Sequence, residues 1–367
     1  MNTRELGLKF EGVTGPNNAI TDIPGIEVGY STIIQESERF EVGKGPIRTG
    51  VTAILPRGKK NELKPVFAGV HSFNGNGEMT GTHWINDAGY FSSPICITNT
   101  HSVGITHQTT IKWMIQQYKK QFKNNHLWAL PVIAETYDGI LNDINGFHVK
   151  EKHVMEAINS AETGKIEEGN VGGGTGMIAY EFKGGTGTSS RKIKIDNNEY
   201  NLGVLVQANH GRRDWFKVFG APVGKHLTDN RVYKKEMGSI VVIIATDLPL
   251  LPNQLKRLAK RASIGIGRNG SPGGNDSGDI FLAFSTANEK NIPQEESALN
   301  SVKYLNDEYL DIVYEHTCHA IDESIISAML SAKSMTPAKR TKDIETTKVE
   351  AINHDELLTI LKDYNRL

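Results

Sequence analysis

Gly238-Ser239 closes a polar loop, Tyr233-Lys234-Lys235-Glu236, and opens the apolar run Ile240 to Ala245. A serine at the mouth of a buried strand holds its hydroxyl in a fixed place, but a hydroxyl is a weak nucleophile until a base stands beside it. The plainer alternative is that Ser239 simply starts the strand. A second strand-like run, Gly203 to Ala208, ends in Asn209-His210-Gly211. An amide at that end can donate to a developing oxyanion, or merely close an Asx turn. In Pro131 to Gly139, Glu135 and Tyr137 share a face if the strand runs through both. A carboxylate and a phenol so placed could bind an amine and polarise a carbonyl; the alternative is an exposed strand edge. Ser277 stands in Gly273-Gly274-Asn275-Asp276-Ser277-Gly278-Asp279. A nucleophile elbow needs glycine two residues before the serine, where Asn275 stands, so the loop by itself reads as an Asx turn. Gly174 to Ala179 matches GxGxxA, but Lys165 to Asn170 before it is no hydrophobic strand, and a glycine turn is the simpler reading. The 12 histidines, His71, His83, His101 and His210 among them, show no HExxH or similar metal spacing.

The elements that must position these groups are short and interleaved. Strands are expected at Ile26–Ile33, Arg48–Leu55, Ile95–Asn99, Leu130–Thr136, Asn201–Asn209, Ser239–Thr246 and Ile280–Thr286, each rich in Val, Ile or Leu and bounded by Gly, Pro or Asn. Helices are expected at Thr106–Lys120, Lys150–Glu162, Asn253–Ile264, Asp307–Ala332 and Asn353–Tyr364, the last capped near Asn353 or His354. In the third, Leu255, Leu258, Ala259 and Ala262 share one face, and Lys256, Arg257, Lys260 and Arg261 the other. Glycine-rich turns are expected at Gly169–Gly176, Gly184–Gly187 and Gly270–Gly278. Buried strands with amphipathic helices imply a layered α/β sandwich. Nothing marks an internal boundary, so residues 1–367 read as one compact unit.

Composition narrows the class. Apolar residues are 38% and charged residues 23% of 367, which supports a packed core rather than a disordered chain. Lys+Arg 41 against Asp+Glu 42 leaves a net charge of -1, with no basic field for nucleic acid or an anionic membrane. Cys96 and Cys318 are too few for a disulfide framework or a structural zinc site. The opening MNTRELGLKF lacks an apolar signal core, and the longest purely apolar run is six residues, against the ~20 a membrane span needs. A cytoplasmic protein is the expectation.

Taken in order, these segments resemble the DmpA-like aminopeptidases, also called β-peptidyl aminopeptidases or L-aminopeptidase/D-esterases. The resemblance covers almost the whole chain. It rests on Pro16 to Asp22, Gly43 to Val51, Asn74-Gly75-Asn76-Gly77-Glu78, Thr98 to Gly104, Glu168 to Met177, Gln207-Ala208-Asn209, Gly238-Ser239 and Ser277-Gly278-Asp279. It implies a four-layer αββα sandwich of the DmpA/ornithine acetyltransferase type, similar in layers to N-terminal-nucleophile hydrolases but with different connectivity. It further implies a precursor that cuts itself before a serine, here at Gly238–Ser239, leaving an α-chain 1–238 and a β-chain 239–367. Ser239 would then be the nucleophile, its new α-amine acting as base. Asn209 would be the oxyanion donor, supported by the Tyr137 hydroxyl; losing one such donor typically costs ~10²–10³ in turnover. Ser277 and Asp279 would orient the nucleophile. The family carries Glu or Asp at the last position, and the shorter Asp279 alters its reach. Glu135 would bind the substrate's ammonium group. No metal or cofactor is implied. The family assembles as oligomers of α/β pairs, often tetramers.

The chemistry is self-consistent. An α-amine has a reference pKa of ~7.7–8.0, so it can act as a free base near neutral pH and no histidine is required. The expected substrates are short peptides, amino-acid amides or esters with a free amine; α- or β-amino acids and L- or D-forms stay open. Two alternatives stand beside this reading. One is an acyltransferase of the ornithine acetyltransferase type, which hands the acyl group to an amine. The other is a non-processed binding protein on the same fold.

Overall fold

The computed structural model describes residues 3–233, 235–339, 341–342, 344 and 346–367. In chain order the strands are β1 (Glu27–Gln35), β2 (Ile47–Leu55), β3 (Val66–Ser72), β4 (Tyr90–Phe91), β5 (Ile95–Asn99), β6 (Val132–Thr136), β7 (Ile178–Ala179), β8 (Phe182–Lys183), β9 (Gly185–Ile195), β10 (Asn198–Asn209), β11 (Ser239–Thr246) and β12 (Gly278–Ser285). The helices are α1 (Thr82–Ala88), α2 (Val103–Gln117), α3 (Lys119–Asn124), α4 (Glu151–Asn159), α5 (Val223–His226), α6 (Pro252–Ala259), α7 (Ala262–Arg268), α8 (Leu310–Leu330) and α9 (His354–Asp363). Among the described residues, no helix is long and apolar enough to cross a membrane.

Two sheets carry the fold. One has the order β1-β2-β5-β6, the other β4-β3-β12-β11-β10-β9. Each contains one parallel pair, β5–β6 and β11–β12, and the other pairings are antiparallel. Parallel neighbours need a crossover, and α2–α3 and α6–α7 supply it. The alternation along β11 shows how the layers form. Val241, Ile243 and Ala245 meet Ile95, Ile97, Val132 and Ala134 of the facing sheet. Ile240, Val242 and Ile244 pack outward with Leu255, Leu258, Ile266, Ile321 and Leu357 of the helices. Beneath the other sheet, Val51, Ala53, Cys96 and Ile133 pack on Trp113, Met114, Val154 and Ile158. Helices cover the two outer faces, which gives the αββα sandwich. Every residue of β11 is buried, as a strand without polar alternation should be. Each fully buried aliphatic side chain contributes about 1.5–3 kcal/mol.

Two expectations need correction. Gly184–Gly187 is not a turn: β9 begins at Gly185 and runs to Ile195. Glycine is required there by packing, because a Cβ on Gly187 would lie 2.0 Å from the Ser324 carbonyl of α8. The single helix expected over Asn253–Ile264 is two, α6 and α7, divided at Lys260–Arg261 so that α7 can pack on α8. The terminal helix starts as expected: the Asn353 side chain accepts from the backbone N–H groups of Asp355 and Glu356.

Candidate active site

Ser239 is the first residue of β11, lying in register between Asn209 of β10 and Gly278 of β12. It is 6% exposed, and its Oγ accepts a hydrogen bond from the Gly278 backbone N–H at 3.1 Å. The preceding peptide is pressed onto β10. A Cβ on Gly238 would stand 1.9 Å from the Asn209 carbonyl oxygen and 2.8 Å from His210 Cα. Only glycine can occupy that place without pushing the backbones apart.

Asn209 ends β10, and its amide is held at both atoms. Oδ1 accepts from the Ile178 N–H at 2.7 Å, and Nδ2 donates to the Tyr137 carbonyl at 3.0 Å. The second Nδ2 hydrogen is the one an oxyanion could use. β6 stops at Thr136, so Tyr137 lies past the strand end and does not continue the face of Glu135. The Tyr137 side chain is 39% exposed, and burial of the remainder raises its pKa, with Asp138 adding to the effect.

Ser277 and Asp279 are directly joined. The Ser277 hydroxyl donates to Asp279 Oδ1 at 2.6 Å, the Ile240 N–H donates to the same oxygen at 3.3 Å, and Asn74 Nδ2 donates to Oδ2 at 3.2 Å. The shorter carboxylate therefore still reaches the residue that follows Ser239. Burial pushes the Asp279 carboxyl up, and these donors work against the shift.

Glu135, near the end of β6, is buried. Its Oε1 accepts from the Glu78 N–H at 2.9 Å and its Oε2 from the Thr100 hydroxyl. Burial raises its pKa against those hydrogen bonds. The Asn74–Glu78 segment links this carboxylate to the serine loop: a Cβ on Gly77 would lie 3.4 Å from Glu135 Oε1 and 3.3 Å from Gly278 Cα. Asn209, Ser239, Ser277 and Asp279 thus lie together, with Glu135 joined to them through Gly77; Tyr137 joins through its backbone carbonyl, while its hydroxyl lies against Gly139, where a Cβ would stand 2.3 Å away.

His210, next to Asn209, is buried with no hydrogen-bond partner on either ring nitrogen among the described residues, and burial pulls its pKa down to about 3. Its ring packs edge-on against Tyr180 at 4.9 Å. It is a neutral packing residue. Asn74, Thr100 and Glu236 were not singled out by sequence reasoning. The first two lie inside segments that carry the family resemblance, but their contacts run to residues 35 or more positions away and have no local signature.

The chain matches the family model for peptidase family S58 over residues 18–342. It is 47% identical to the β-peptidyl aminopeptidase BapA of Sphingosinicella microcystinivorans over 99% of this chain and 92% of that protein. It is 40% identical to the β-peptidyl aminopeptidase BapA of Sphingosinicella xenopeptidilytica, over 98% and 90%. Among solved structures, it is similar to the L-aminopeptidase D-Ala-esterase/amidase of Ochrobactrum anthropi, a prototype of the serine aminopeptidases and a variant of the Ntn hydrolase fold. That match has a TM-score of 0.93 and 51% identity, covering 100% of this chain and 99% of the other. A Burkholderia sp. β-aminopeptidase matches with a TM-score of 0.88 and 41% identity, over 99% of each chain. These relatives favour hydrolysis over acyl transfer or simple binding. The chain therefore belongs to peptidase family S58, the DmpA-like aminopeptidases, and is an aminopeptidase built on their variant of the Ntn hydrolase fold.

Proposed function

We propose that this aminopeptidase is made as a precursor and activates itself by cutting Gly238–Ser239. The observation that carries the reading is the setting of that peptide: its serine hydroxyl is held by the Gly278 N–H, and its glycine is pressed against the Asn209 carbonyl. In self-cleavage the Ser239 hydroxyl attacks the Gly238 carbonyl carbon. The C–O bond forms, the C–N bond breaks, and the serine nitrogen takes up a proton to become an amine. Water then hydrolyses the ester, leaving a carboxylate on Gly238 and a free hydroxyl on Ser239.

In turnover the new α-amine takes the hydroxyl proton as Oγ attacks the substrate carbonyl. The free Asn209 Nδ2 hydrogen donates to the oxyanion, with the Tyr137 hydroxyl beside it. The ammonium returns its proton to the leaving amine, and water releases the acyl group from Ser239. Ser277 and Asp279 fix the start of β11 through the Ile240 N–H. Glu135 binds the substrate's ammonium group and so measures one residue from the N-terminus. Substrates are short peptides, amides or esters with a free amine. Such an enzyme works in the cytoplasm as an oligomer of α/β pairs.

Intact-mass spectrometry of wild type and Ser239→Ala tests the reading. Wild type should give two fragments meeting at 238/239; the variant should give one 40.4 kDa chain and no hydrolysis of an amino-acid p-nitroanilide. Undiminished hydrolysis by Ser239→Ala, or an active wild-type chain with no new terminus at Ser239, would falsify the mechanism.

A further inference from the structure

Glu236 belongs to the segment that is cut, three residues before Ser239. β10–β11 pairing ends at Asn209–Ser239, so the ladder does not hold the residues before the serine. Glu236 reaches across instead: its Oε1 accepts the Gly211 backbone N–H at 2.7 Å, two residues beyond Asn209. The side chain is deeply buried at 6% exposure, and Oε2 has no hydrogen-bond partner among the described residues. It rests on Gly274, where a Cβ would fall 1.3 Å from that oxygen. Gly274 in turn accepts from the Ser277 N–H at 3.1 Å and from Asn74 Nδ2 at 3.0 Å through its carbonyl. One carboxyl group therefore touches the 209–211 turn on one side and the loop that carries Ser277 on the other.

Taking the self-cleavage proposed above as its basis, we infer that Glu236 is a positioning residue for that step. It clamps the scissile segment to the Gly211 turn, so that Glu236–Gly211 at one end and Ser239–Asn209 at the other fix the Gly238 peptide between them. The role depends on an acceptor oxygen at the correct reach and not on charge or proton transfer. Burial also raises the Glu236 pKa, so a neutral acceptor is compatible with the site.

The experiment follows the cleavage rate of freshly made full-length chain, by intact mass against time, for wild type, Glu236→Gln, Glu236→Asp and Glu236→Ala. Losing a buried hydrogen bond of this kind is expected to slow the step roughly 10- to 100-fold in the Asp and Ala chains. Gln keeps both reach and acceptor and should cut within about threefold of wild type, a rescue that an acid–base role would not show. The same substitutions placed on uncut Ser239→Ala chains report melting temperature, separating a cleavage defect from a folding one. Slow cleavage in Asp with an unchanged melting temperature supports the inference. Wild-type cleavage by Asp and Ala, or a Gln chain as slow as Ala, overturns it. A wild-type chain that never cuts would instead remove the underlying self-cleavage.

Discussion

Glu135 divides the two reactions of the proposed cycle. Its carboxylate is held by the Glu78 N–H and the Thr100 hydroxyl and, among the described residues, makes no hydrogen bond to Gly238 or Ser239, so it can grip a substrate amine without taking part in self-cleavage. Glu135→Ala is expected to yield correctly cut chains on a gel while kcat/KM for an aminoacyl amide falls at least ~100-fold, in line with losing a buried ionic contact. Uncut Glu135→Ala protein would contradict that division. Asp138, one residue beyond Tyr137, gives a pH signature. It accepts from Asn142 Nδ2 at 2.9 Å, and burial raises its pKa to about 7. An unfolded Asp titrates near ~3.9. Between those values the folded chain binds the proton and the unfolded chain does not, so this group's stabilising contribution is complete at low pH and is lost as pH rises toward 7. Asp138→Asn has no such loss. Its melting temperature relative to the parent should therefore improve from pH 5 to pH 7.5, at up to about 1.4 kcal/mol per pH unit. A constant difference across that range would show that Asp138 is ionised throughout.

Element packing explains why some glycines misled the sequence reading. The start of β9 reads as a turn because three of the four residues Gly184-Gly185-Thr186-Gly187 are glycine, yet it opens the strand on which α8 lies. The missing side chain at Gly187 lets the Ser324 carbonyl come within 2.0 Å of where a Cβ would stand. Gly187→Ala should force the helix outward and cost about 1–3 kcal/mol in urea unfolding. A neutral result would mean that α8 can slide at no cost. The same lesson applies to the site. β11 and α8 are visible as patterns, because a wholly apolar run and a long stretch without Gly or Pro are local properties. The contact between Ser239 and Gly278 is not local: it depends on a crossover through α6 and α7 that puts β12 parallel beside β11.

Across the whole molecule, the proposed cut falls inside a shared core. The six-stranded sheet takes β3, β4, β9 and β10 from before residue 239 and β11 and β12 from after it. β11 pairs with β10, and α8 packs on β9 and β10, so breaking one peptide bond leaves these contacts intact. Fragments 1–238 and 239–367 should co-elute in size-exclusion chromatography under native conditions and separate only in denaturant. Separation of the two fragments in native buffer would show that the chain needs its covalent link for stability.

Several features follow from the order of amino acids alone. Strands β1, β2, β5, β6, β10, β11 and β12 and the main helices are legible as local patterns, though β3 and β9 are not, the α9 cap is set by Asn353, and the family by motif segments spread along nearly the whole chain. Ser239, Asn209 and the Ser277–Asp279 turn stand out because each ends or opens such an element. Tertiary structure decided which of these residues meet. It brought Asn74 to Asp279, Thr100 to Glu135 and Glu236 to Gly211, and turned the Asn209 amide toward the Tyr137 carbonyl. The physical reason is range: periodicity and capping act over a few residues, whereas these contacts join groups from 25 to 205 positions apart and exist only once two sheets have stacked.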